Sequence, residues 1–197
     1  MLFVGLTGGV GSGKSEALAA FRGLGAAVIS SDDVVHKLLQ TEELQNLLSE
    51  RWGERVLSGG EVDRQAVAEI VFEAPEELAW LEGVLFPRVG ARLAAWRAQI
   101  EAGDTAELGV VEVPLLFEAG IQDVFDATIA VVSEEETRRR RAADRSHSGL
   151  GGRDARQLSQ EEKARRADYV LRNDGSLEDL AGAVTIVIED LRRKAVA

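Results

Sequence analysis

Five short apolar runs punctuate the chain, at 2–6, 26–29, 107–113, 126–132 and 167–171, each bounded by turn or capping residues. Runs of this length and composition predict strands buried within a sheet. Elsewhere the apolar positions recur at helical spacing. A helix is predicted over 15–24, ending near Gly23 and Gly25, and another through Val34, Val35, Leu38 and Leu39. Segment 42–101 holds no convincing strand. Asp63 is expected to cap a helix through Phe72, Pro75 suits a first helical position, and 76–86 carries Leu78, Leu81, Val84 and Leu85. Pro87 is expected to kink or break that run before a further helix over 88–101. The segment reads as a helical insertion between two strands, with Trp52, Trp80 and Trp96 in its core. Ser133 is expected to cap a helix opening on Glu134, Glu135 and Glu136. Ser176 is expected to cap one running to about Lys194, with Leu177, Leu180, Val184, Val187, Ile188 and Leu191 as its apolar stripe.

The connection out of the first strand carries a chemical pattern. Gly8-Gly9-Val10-Gly11-Ser12-Gly13-Lys14-Ser15 fits G-x-x-x-x-G-K-[ST], and it stands between a strand and a helix, the context that gives the pattern meaning. Glycines at 8, 9, 11 and 13 let successive backbone N–H groups, including that of Ser12, point into one cup sized for phosphate. The N-terminus of the next helix, which Glu16 enters, adds partial positive charge. Lys14 can reach the β and γ phosphates, and the Ser15 hydroxyl can ligate Mg²⁺.

Past the second strand stand Ser30, Ser31, Asp32 and Asp33. Ligands of open α/β sheets bind beyond the carboxyl ends of strands, so a carboxylate here can help hold Mg²⁺ or accept a proton from an attacking hydroxyl. The same residues are also what a helix start prefers, and Asp33 is read as a cap; for Asp32 both readings stand. Glu112 stands inside its strand rather than after four apolar residues as a second Walker motif would have it. No D-x-x-G or N-K-x-D element occurs, which speaks against a Ras-type GTPase.

Composition narrows the classes. The 197 residues suffice for one α/β domain with one insertion. A net charge of −11 argues against general nucleic-acid or membrane-surface binding. The absence of cysteine excludes disulfides and thiolate chemistry, and two histidines make a multi-histidine metal site improbable. With no apolar run of 18 residues and a start directly on a strand, a cytoplasmic protein is expected, a monomer or weak homo-oligomer. Against this acidic background, 138–166 holds ten basic and four acidic residues, led by Arg138-Arg139-Arg140-Arg141 and Arg145. Guanidinium groups match phosphate in geometry as well as charge. The glycine-rich turn at 146–152 lets this segment be read as a closing lid or as an ordinary surface loop.

Five strands, a P-loop, a helical insertion and an Arg-rich lid are the parts of a small P-loop kinase. The sequence resembles the dephospho-coenzyme A kinase family along nearly its whole length. The likeness rests on 6–15, on Val28-Ile29-Ser30-Ser31-Asp32, on Val113-Pro114-Leu115-Leu116-Phe117-Glu118, and on Ala167-Asp168-Tyr169-Val170 with Asn173-Asp174-Gly175; Gln157 and Lys163 also match. It implies an α/β P-loop NTPase fold of the nucleoside monophosphate kinase type, a five-stranded parallel sheet flanked by helices. The core is expected at 1–32, 104–137 and 167–197, the acceptor-binding insertion at about 33–103, and the lid at about 138–166. It implies transfer of the γ-phosphoryl of ATP, with Mg²⁺, to the ribose 3′-hydroxyl of dephospho-coenzyme A. Asp32 aligns with the family's aspartate beside Mg²⁺ and the acceptor hydroxyl. Arg141 and Arg145 align with the lid arginines. Two positions depart from the family pattern: Ser30 stands where Asp is usual, and Glu16 where Thr is common. Rival readings are a kinase of another small acceptor, such as a nucleoside monophosphate or shikimate, and an ATP-binding switch protein.

Overall fold

In a computed structural model the described residues are 1–143 and 156–196. They divide between two compact units, the first containing 1–30, 97–143 and 156–196 and the second 31–96. The first is a five-stranded sheet in which every pairing is parallel: β1 (Leu2–Gly8), β2 (Ala27–Ser30), β5 (Leu108–Glu112), β6 (Ala127–Val132) and β7 (Tyr169–Arg172), in the order β2-β5-β1-β6-β7. β1 is central and buried along nearly its whole length, so its two faces meet different partners. Val4 and Leu6 join the core formed with α1 (Lys14–Gly23) and α8 (Leu177–Val196), where Phe21, Leu180, Val184 and Ile188 are buried. On the other face Phe3 stacks on Phe125 at 5.1 Å and lies under the Arg97 guanidinium at 4.8 Å. Gly5 has room for no side chain there, because a Cβ would come within 2.5 Å of Leu116.

The predicted strands are found, and so are the caps at Asp63 and Ser176. Asp63 caps α4 (Arg64–Glu73) through Gln65 and Ala66, Pro75 opens α5 (Pro75–Gly103), and the Ser176 hydroxyl receives the Asp179 N–H. Three local expectations are corrected. α2 (Ser31–Leu39) starts before Asp33, so Asp32 and Asp33 lie in its first turn, where carboxylates complement the helix dipole, and Asp33 is no cap. Ser133 lies ahead of α6 (Glu135–Ala143); its backbone is bracketed by the Gln160 amide, and its hydroxyl is buried without a hydrogen-bond partner. Glu112 does stand within β5, as expected, paired with Leu6 and Ser30. Pro87 does not interrupt α5, which runs unbroken for 29 residues. Gly83, whose carbonyl loses its helical donor there, is exposed and can turn to water, while Arg88 Nη1 donates to the Val84 carbonyl at 2.8 Å.

The second unit has its own core of Leu39, Leu44, Leu48, Trp52, Val56, Val67, Val71, Leu81 and Leu85. These come from α2, α3 (Glu42–Trp52), the 3₁₀ turn Glu54–Val56, α4 and α5. Trp52 and Trp80 meet edge to face at 5.1 Å, but Trp96 stands outside this cluster. The segment also contains a minimal hairpin of β3 (Leu57–Ser58) and β4 (Glu61–Val62), two-residue strands too short to give an apolar run.

Candidate active site

The glycine-rich stretch leaves β1 at Gly8 and enters α1 at Lys14. Its glycines face protein as well as the cup. Gly11 (φ +74) leaves 2.5 Å between a would-be Cβ and the Arg138 carbonyl oxygen, and a Cβ on Gly13 (φ +92) would overlap the Asn173 amide. Both positions are left-handed, so only glycine meets the torsion and the contact together. Gly9 lies against the Arg138 guanidinium, and Gly8 is hemmed in by the Val131 carbonyl and the Ser12 hydroxyl. That hydroxyl is buried and has no hydrogen-bond partner among the described residues. The Lys14 ammonium donates to the carbonyls of Gly8 and Gly9, each at 3.0 Å, which keeps it against the loop. Ser15, in the first turn of α1, is exposed, and Glu16 is half-buried with a carboxylate oxygen on the Gly13 side.

Two groups clamp this loop from outside it, and a third reaches one of them. Arg138 Nε donates to the Val10 carbonyl at 3.2 Å while Nη1 pairs with Glu135 at 2.9 Å. Asn173 is 2% exposed; its Nδ2 donates to the Ser12 carbonyl at 3.1 Å and its backbone N–H to Val132. Arg141 Nη1 reaches the Asn173 carbonyl at 3.2 Å, so it touches the clamp rather than the loop. Of the two arginines aligned with the lid, Arg141 is thus one contact removed, and Arg145 lies outside the described residues, as does the turn at 146–152. Neither Arg138 nor Asn173 was singled out from the sequence. The signal was available: each follows the carboxyl end of a strand, β6 and β7, on the P-loop side of the sheet, and β6 pairs its Val131 with Gly8.

Asp32 belongs to the second unit, half-buried two residues beyond Ser30, the last residue of β2. Among the described residues no group of three or more His, Cys, Asp or Glu is placed to hold a metal ion. Below the loop, on the face of β1 that carries Thr7, the Lys163 ammonium is fully buried. It donates to the Pro114 carbonyl at 2.5 Å and to Thr7 Oγ1 at 3.3 Å, and pairs with Glu118 Oε1 at 2.9 Å. Burial pushes its pKa down, and the Glu118 carboxylate opposes that shift.

The sequence model of the dephospho-CoA kinase family matches residues 2–179, nearly the whole chain. The chain belongs to the dephospho-CoA kinase family. It is 38% identical over 197 residues to the dephospho-CoA kinase of Thermus thermophilus, spanning 96% of this chain and 92% of that protein. Against that of Deinococcus radiodurans it is 39% identical over 194 residues, with 95% and 91% covered. Among solved structures, a Thermus thermophilus crystal structure superposes with a TM-score of 0.80 at 37% identity, covering 96% of this chain and 97% of that one. The dephospho-CoA kinase from Campylobacter jejuni superposes with a TM-score of 0.70 at 26% identity, covering 98% of each. As a member of the dephospho-CoA kinase family the chain is a P-loop kinase.

Proposed function

We propose that this chain transfers the γ-phosphoryl group of ATP to the ribose 3′-hydroxyl of dephospho-coenzyme A, giving coenzyme A and ADP. The observation that carries the reading is a family match over nearly the full length, laid on a P-loop whose cations are already in place. Phosphoryl transfer asks little covalent work of the protein, so positioning and neutralisation of charge dominate. The backbone of 8–13 and the N-terminus of α1 hold the phosphates. Lys14 exchanges its two neutral carbonyl acceptors for phosphate oxygens, which are stronger partners. Arg138 fixes the loop through Val10, and Arg141 and Arg145 supply further guanidinium groups from the lid, which excludes water as a competing acceptor. The 114–118 loop serves the acceptor.

The donor set fits Mg²⁺, a hard cation that takes oxygen ligands and is held by one or two protein groups plus substrate phosphates. The exposed Ser15 hydroxyl and the Asp32 carboxylate would hold it. When bound it neutralises charge developing on the phosphates. Asp32 also orients the 3′-hydroxyl and accepts its proton.

ADP release measured against a panel of dephospho-coenzyme A, AMP and shikimate tests the reading. Turnover is expected with dephospho-coenzyme A; preference for another acceptor, or slow hydrolysis indifferent to all three, overturns it. Asp32→Asn is expected to lower kcat by about 10²–10⁴-fold with ATP affinity nearly intact. An unchanged kcat removes Asp32 from the mechanism.

A further inference from the structure

Lys163 is an unusual residue to find without any exposure, because a lysine ammonium loses its hydration on burial and is almost never fully enclosed unless paired. Its three partners belong to separate parts of the chain. Thr7 precedes the first glycine of the nucleotide loop, Pro114 and Glu118 bracket the loop after β5, and Lys163 itself sits on α7 (Gln160–Arg166). The network closes on itself: the Thr7 hydroxyl also donates to the Pro114 carbonyl at 3.2 Å, and Glu118 Oε1 also accepts the Leu158 N–H at 2.7 Å. Glu118 Oε2 is buried and has no hydrogen-bond partner among the described residues. A single cation thus pulls the 114–118 loop down against the strand that feeds the nucleotide loop. A hydrophobic side chain of the same length would fill the space yet leave the Pro114 carbonyl without its ammonium.

We propose that Lys163 is a positioning residue for phosphoryl transfer, its ammonium fixing the 114–118 loop against Thr7 and so setting the acceptor side of the site relative to the nucleotide loop. The inference rests on the reading that the 114–118 loop serves the acceptor. Misplacement of a reacting group by about 1 Å can cost about 100-fold in rate, so the effect is expected on the acceptor and not on ATP.

Lys163→Met alone strands the Glu118 carboxylate in the interior and is prone to misfold. The test therefore uses Lys163→Met combined with Glu118→Gln, which removes both charges, with Thr7→Val as a milder second variant. Thermal melting, affinity for a non-hydrolysable ATP analogue, and KM and kcat for dephospho-coenzyme A are measured for each. The expected result is a folded double variant whose kcat/KM for dephospho-coenzyme A falls about 10- to 100-fold, with nucleotide affinity within about twofold of wild type. Thr7→Val is expected to move the same constant in the same direction by a smaller factor. A folded double variant with wild-type kcat/KM overturns the inference, as does an equal loss of nucleotide and acceptor affinity. If the double variant does not fold, a wild-type acceptor kcat/KM in Thr7→Val overturns it, and a selective fall supports it. Failure of the wild-type protein itself to make coenzyme A overturns the activity reading and this inference with it, whereas the other adverse results overturn this inference alone.

Discussion

At Gly13 the missing side chain answers two demands at once, a left-handed backbone and the Asn173 amide packed where a Cβ would stand. Gly25 makes the first demand alone: its φ is +90, and nothing lies within 4 Å of a Cβ there. The pair separates strain from packing. Gly25→Ala is expected to cost about 1–2 kcal/mol in denaturant unfolding and to leave ATP affinity unchanged. Gly13→Ala is expected to cost more and to weaken ATP binding about tenfold or beyond, because the alanine must displace the amide that holds the Ser12 carbonyl. Similar losses of ATP affinity in both variants, read by calorimetry, would contradict this account. Arg138 belongs to the same scale. Its place in the arginine run says nothing of contact, and only the start of α6 beside the glycine loop selects it over its neighbours.

Among the elements, α5 and the α3 to α5 contact make separable claims. Pro87 stands on the exposed side of an unbroken helix, where it removes one backbone bond. Proline is about 3 kcal/mol less favourable than alanine inside a helix, and its stiffening of the unfolded chain returns about 0.4–1 kcal/mol. Pro87→Ala is therefore expected to raise stability by about 2 kcal/mol in urea unfolding; a loss of stability would mean that the proline shapes the helix to a purpose. Glu77, in the first turn of α5, accepts from Arg51 Nε at 3.0 Å and from Trp52 Nε1 at 2.8 Å. Those bonds, Arg51 first, hold its carboxyl below the usual value of 4.5. A carboxylate depressed in the folded state stabilises above its unfolded pKa and loses that contribution as pH falls through the folded one. The difference in melting temperature between wild type and Glu77→Gln is thus expected at pH 7 and should shrink as pH falls below 4.5; a gap that does not change with pH would assign it to packing.

For the whole molecule, two compact units with separate cores predict separable damage. Leu48 is fully buried in the core of the helical unit. Leu48→Ala is expected to cost about 2–5 kcal/mol in urea unfolding, with the ATP-analogue affinity of the folded protein within about twofold of wild type. A parallel fall in nucleotide affinity would show that the cores do not act independently. The helical character of the second unit was legible in the chain, since a stretch of helical periodicity interrupts the strands between Ile29 and Leu108. So was the nucleotide loop, because glycine torsions, a helix start, Lys14 and Ser15 are local properties fixed by neighbours in sequence. The five strands were legible for the same reason, each being a short apolar run that needs burial on both faces. The contacts of Arg138, Asn173 and Lys163 were not, since each acts on a strand or loop 49 to 161 residues away along the chain. Pro87 and Ser133 misled because a local preference was outweighed, by an exposed carbonyl free to meet water in one case and by the Gln160 amide in the other. Sequence by itself determined the five strands of the sheet, most of the helices and the glycine-rich loop, which depend on torsion and periodicity. Tertiary structure alone decided which cations and amides grip that loop, because a contact between distant segments exists only once the sheet has set its strand order.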